Sequence, residues 1–74
     1  MPPLPKVTAK EIIAVLGKLG FILTRQSGSH RIFKNKLGRR VTVPFHSGVV
    51  LNPKVLKSII RDAEIDIKKL KELL

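Results

Sequence analysis

The sequence predicts an α+β domain of order α-β-β-β-α: a three-stranded antiparallel sheet with helices on one face, closed by a short C-terminal helix. Three observations carry that expectation. A capped amphipathic run begins at Thr8. Three short stretches rich in β-branched and aromatic residues follow, separated by glycine-containing turns. An Asn-Pro pair at 52–53 then restarts a helical pattern. Consecutive strands joined by tight turns pair antiparallel. Such a meander offers one face to the helices and leaves the other to solvent or ligand.

The elements follow in order. Thr8-Ala9-Lys10-Glu11 is a capping box, in which the threonine hydroxyl accepts from an orphan amide and the glutamate reaches back. Ile12, Ile13, Val15, Leu16 and Leu19 continue at helical spacing, and Gly20 ends a helix of about 8–19. Phe21 to Arg25 is the first strand, Gly28-Ser29 a turn, and His30 to Lys34 the second strand. Asn35-Lys36-Leu37-Gly38 turns the chain into a third strand, Arg39 to Val43. Pro44 ends the pairing or lies at an edge, because it has no N–H for a ladder. Asn52 caps a second helix running to about Asp62, with Leu56, Ile59, Ile60 and Ala63 on one side. Asp66 caps the last helix, whose stripe is Ile67, Leu70, Leu73 and Leu74. Period-two alternation turns Phe21, Leu23, Phe33, Val41, Val43 and Phe45 toward the helices and Thr24, His30, Ile32, Lys34, Arg40 and Thr42 outward.

At 74 residues the chain makes one small domain spanning 1–74, with 1–7 as a proline-rich lead-in. That lead-in lacks the apolar core of a signal peptide, and no apolar run reaches the length of a membrane span. Neither a disulfide framework nor a thiolate zinc site is possible without cysteine. A cytoplasmic setting is expected. Two histidines and scattered acids make a poor metal site, so neither metal nor another cofactor is expected.

Charge is the strongest compositional signal. The net charge is +10, and the five acids are Glu11, Asp62, Glu64, Asp66 and Glu72. Residues 12–61 therefore contain no acid and ten lysines and arginines. A segment of one sign attracts polyanions, nucleic acid first. With three phenylalanines, all expected in the core, and no tyrosine or tryptophan, a row of stacked bases is not the expected mode of recognition.

Within that segment His30 directly follows Gly28-Ser29, where backbone approaches a ligand closely. Arg25, Arg31 and Lys34 flank it, and alternation adds Arg40 on the outer face. Histidine is the side chain best suited to move protons at neutral pH. RNA cleavage through the 2′-hydroxyl needs a base for that hydroxyl and an acid for the leaving 5′-oxygen. Neighbouring cations stabilise the charge gathering on phosphorus. His46, after Pro44-Phe45, reads as a loop residue, an RNA contact or a second proton carrier.

Three pieces in this order resemble the HicA (YcfA-like) mRNA interferase toxins over roughly residues 7–74. They are the helix leading into Leu19-Gly20-Phe21, the Gly28-Ser29-His30-Arg31-Ile32-Phe33 strand entry, and Val41 to Gly48 followed by the basic helix from Leu56 to Ile65. The resemblance implies a fold similar to a double-stranded-RNA-binding domain. It implies the toxin of a type II toxin–antitoxin system, a translation-independent endoribonuclease acting on mRNA and neutralised by a HicB-like, acidic antitoxin. It carries the catalytic role onto His30 and the supporting loop onto Gly28 and Ser29. Asn52-Pro53-Lys54 departs from the Gly-Thr pair that often enters the second helix in that family. Composition alone equally allows a non-catalytic double-stranded-RNA-binding module. A DNA-binding or ribosome-associated protein is less favoured, since no recognition-helix pattern is present.

Overall fold

A computed structural model describes residues 4–74; Met1 to Pro3, the start of the lead-in, lie outside the described residues. The elements are α1 (Ala9–Lys18), β1 (Ile22–Ser27), β2 (His30–Lys34), β3 (Arg40–Pro44), α2 (Pro53–Ala63) and α3 (Ile67–Leu73). They form the expected antiparallel sheet in the order β1-β2-β3, a small α+β domain consistent with the double-stranded-RNA-binding-domain-like fold.

Local chemistry sets the helix boundaries. Thr8 and Glu11 make the reciprocal capping box, with the Glu11 N–H donating to the Thr8 hydroxyl at 3.3 Å and the Thr8 N–H donating to the Glu11 carboxylate at 2.9 Å. At the other end Gly20 adopts φ 90°, the Phe21 N–H donates to the Leu16 carbonyl at 2.9 Å and the Gly20 N–H to that of Gly17. This is a Schellman cap, and it brings Phe21 back against Leu16. Phe21 is therefore a buried cap residue, and β1 begins one residue after it. Asn52 caps α2 by accepting from the Lys54 N–H at 2.8 Å, and Asp66 caps α3 by accepting from the Lys69 N–H at 2.7 Å.

The core lies between the helices and the inner face of β3 and β2. Ile12, Leu16, Val41, Val43, Leu56, Ile59 and Leu70 are all at most 2% exposed. The last residue of the lead-in joins them: Val7 is buried, and its carbonyl accepts from the Leu51 N–H at 2.8 Å. Phe33 is buried as expected, while Phe45 is only partly buried against the core.

Both α1 and α2 pack against β3, and β1 pairs with β2 outside that cover. This corrects the expectation for Leu23. Its cross-strand partner is Phe33, so it lies on the helix side, yet it is 51% exposed because the helices pack chiefly on β3, at the other edge of the sheet. Ile32 is the converse case. It lies on the outer face, yet it is 7% exposed and is not part of the helix-side core. Pro44 sits on edge strand β3 opposite His30. The Phe45 N–H donates to the Ser29 carbonyl at 2.7 Å, which makes 29–45 a hydrogen-bonded pair and 30–44 the neighbouring non-bonded pair. The missing proline N–H is thus not needed by the ladder.

Candidate functional site

Residues 26–33 turn the chain from β1 into β2 with two loop residues, because Ser27 pairs with His30. Gly28 has φ 57° and Ser29 does not share the positive φ, the pattern of a type II′ hairpin with glycine first. Among the described residues, and apart from the glycine and its two chain neighbours, no heavy atom lies within 4 Å of where a Gly28 Cβ would stand, so the glycine is required by conformation and the space beside it is open. Gly28→Ala is expected to lose about 1–2 kcal/mol of stability from backbone strain alone, measured by chemical denaturation. An unchanged midpoint would contradict the turn assignment.

The turn delivers His30 to the first position of β2, exposed, on the face away from the helices. Ser27 and Pro44 flank it across the two ladders. Two and four residues further along β2, the same face carries Ile32 and Lys34, opposite Thr42 and Arg40. The first strand adds what alternation did not foresee. A β-bulge between Leu23 and Arg25 sets Thr24 and Arg25 together against Ile32. The Thr24 hydroxyl donates to the Ile32 carbonyl at 3.1 Å, and the bulge shifts Arg25 onto the outer face. Thr24, Arg25, Ile32, Lys34 and Arg40 now line one hollow of about 260 Å³.

Of the residues expected in the site, His30, Arg25, Lys34 and Arg40 share this open face, and Gly28 and Ser29 stand at its end. Arg31 does not join them. It pairs with Val43 on the helix side, where its guanidinium lies 3.8 Å from the centroid of Phe45 and its Nε is buried without a hydrogen-bond partner. The contact is a cation–π interaction over the face of the Phe45 ring. His46 is exposed beyond Pro44 and lines a second hollow with Pro44, Val49, Val50 and Val55. It is on a turn closed by the Val49 N–H donating to the His46 carbonyl at 3.2 Å. Pro44 therefore touches both neighbourhoods, as cross-strand partner of His30 and as wall of the His46 hollow.

The arrangement suits an anionic ligand. The ion pairs among the described residues are Arg39 with Glu64 and Arg61 with Asp62 at 3.6 Å, so no carboxylate neutralises Arg25, Lys34 or Arg40. The α2 cations Lys54, Lys57 and Arg61 are exposed on a helix that packs behind the sheet, away from this face. Among the described residues no three histidine, aspartate or glutamate side chains converge as a metal cage requires. Among the described residues no helix is long and apolar enough to cross a membrane.

The family model described as HicA toxin of bacterial toxin–antitoxin matches residues 9–65, from the first helical residue of α1 to the residue that closes the cap of α2. A comparison with curated proteins gives no match.

Proposed function

The chain belongs to the HicA toxin family of bacterial toxin–antitoxin systems, and from that premise we propose that it is a metal-independent endoribonuclease that cleaves mRNA with His30 as acid/base. The observation that supports the reading most is the setting of His30. It is an exposed imidazole at the entry of β2, beside an open glycine turn and on a sheet face where the charged residues among those described are Arg25, Lys34 and Arg40.

The chemistry that fits is transesterification within the RNA strand. A base takes the proton of a 2′-hydroxyl, O2′ forms a bond to phosphorus, and the P–O5′ bond breaks. An acid returns a proton to the departing O5′. The products are a 2′,3′-cyclic phosphate and a 5′-hydroxyl. His30 performs proton transfer at the reacting oxygens. Arg25, Lys34 and Arg40 supply fixed positive charge that attracts the strand and offsets the charge gathering on the phosphoryl oxygens. Gly28 and Ser29 give the backbone room to approach the strand. Arg31 supports the hairpin end from the helix side through Phe45, and His46 makes a loose contact with the RNA beyond Pro44. Purified protein should therefore fragment mRNA without ribosomes. Salt-sensitive binding with no fragmentation would instead favour the non-catalytic RNA-binding module.

A toxin of this family has a cognate antitoxin. A HicB-like protein with an acidic contact surface fits this chain, because the +10 charge would steer it onto the same face that draws RNA. His30 then lies beneath the bound antitoxin, in the cytoplasm where mRNA is found.

A further inference from the structure

The outer face of the sheet concentrates more positive charge than its own packing favours. Lys34 and Arg40 are direct cross-strand partners, and like charges placed opposite one another destabilise a sheet. The bulge then brings in Arg25, which regular alternation would have sent to the other side with Leu23. These three cations surround one hollow with Ile32 among its lining, and no described carboxylate relieves them. Ile32 is buried on the face opposite the core, which fits long basic side chains lying over it with their stems against it and their charged ends outward.

The charge also has a direction. A neighbouring hollow, lined by Gly20, Ile22, Lys34, Asn35 and Lys36, shares Lys34 with the first and continues away from His30. At the opposite end, the hollow beyond Pro44 has Val49, Val50 and Val55 beside His46 and no lysine or arginine in its lining.

We infer that Arg25, Lys34, Arg40 and Lys36 form a one-sided phosphate track, running from His30 along β2 toward the β2–β3 turn. The inference rests on the ribonuclease reading for the position of the cut, and on the placement of the charges for the track. From His30 to Lys34 the strand advances roughly 13 Å at about 3.3 Å per residue, room for about two internucleotide steps of an extended strand. The RNA is therefore gripped on one side of the scissile phosphate and only loosely on the other.

Two measurements test this on the full chain. In the first, oligonucleotides carry a single ribonucleotide in an otherwise 2′-deoxy strand and are lengthened one nucleotide at a time on either side. On one side, the first two additions should raise kcat/KM by roughly tenfold or more; on the other the change should stay within about threefold. The gain should vanish in the Lys34→Met/Arg40→Met double variant, which keeps the stems over Ile32 and removes both charges. In the second, fluorescence anisotropy follows binding of all-deoxy strands, so cleavage plays no part. The slope of log K against log salt should fall by about 0.7 per removed cation, about 1.4 for the double variant. A Lys54→Met/Lys57→Met control on α2 should leave it unchanged. Equal gains on both sides, or an unchanged slope in the Lys34→Met/Arg40→Met variant, would overturn the track even if RNA is cut. Binding with the expected slope and no cleavage would support the track while overturning the ribonuclease reading.

Discussion

Replacing His30 by alanine is expected to lower RNA cleavage by about 10²–10⁴-fold, the usual worth of a positioned acid/base, while RNA binding and the fold persist. The imidazole is exposed and makes no hydrogen bond within the protein among the described residues, so its loss leaves no buried group without a partner. Substitutions at such positions usually stay within about 0.5 kcal/mol in stability. Pro44 opposite it occupies a non-hydrogen-bonded site, so the β2–β3 ladder does not depend on the side chain either. The cations that attract the strand remain in place. Cleavage should therefore fall while the salt dependence of binding does not change. A variant that still cuts at the wild-type rate would remove His30 from the chemistry.

The largest effect on stability is expected at Leu56, where substitution by alanine should cost about 2–5 kcal/mol. Leu56 is 1% exposed on the face of α2 that meets β3, in a core shared with Leu16, Val41, Val43 and Leu70. Domains are stable by only about 5–15 kcal/mol, and one of this size belongs near the bottom of that range. The variant should thus melt far below the wild type, at about 4–8 °C per kcal/mol lost, followed by circular dichroism. A shift of only a few degrees would show that α2 is not packed as described. The contrast with His30→Ala separates loss of activity by unfolding from loss by chemistry.

How much of this was legible in the sequence depends on whether the determinant is local. The capping box at Thr8, the Asn52-Pro53 start of α2 and the Asp66 cap involve residues within one turn of each other, and the structure matches them. Alternation in β2 and β3 also places Phe33, Val41 and Val43 inside and His30, Lys34 and Arg40 outside, because α1 and α2 pack on the inner face at β3 and Phe33, the cross-strand partner of Val41, joins the same core. Along β1 the same reasoning fails. Leu23 has the right parity, but burial requires a helix above it, and helix reach is a property of the assembled fold. The bulge at Thr24 leaves no composition signal of its own, since it arises from the register between two strands. Arg25 consequently joins the site for a reason that counting residues does not show. Arg31 was expected in the site because it adjoins His30, yet adjacent strand residues point to opposite faces, and its partner there is Phe45. The burial of Ile32 is likewise not a matter of parity: it lies on the outer face and shares a hollow with basic residues from three different strands.

The central claim is that the His30 end of the sheet cleaves RNA by proton transfer through the strand's own 2′-hydroxyl. Its most direct measurement uses an end-labelled oligonucleotide with one ribonucleotide, alongside its fully 2′-deoxy counterpart, both incubated with wild-type protein in excess chelator. The account predicts a cut after the ribonucleotide alone, leaving a 2′,3′-cyclic phosphate and a 5′-hydroxyl, with the deoxy strand intact. Cleavage of both strands, or cleavage that appears only when a divalent metal is added, would contradict it.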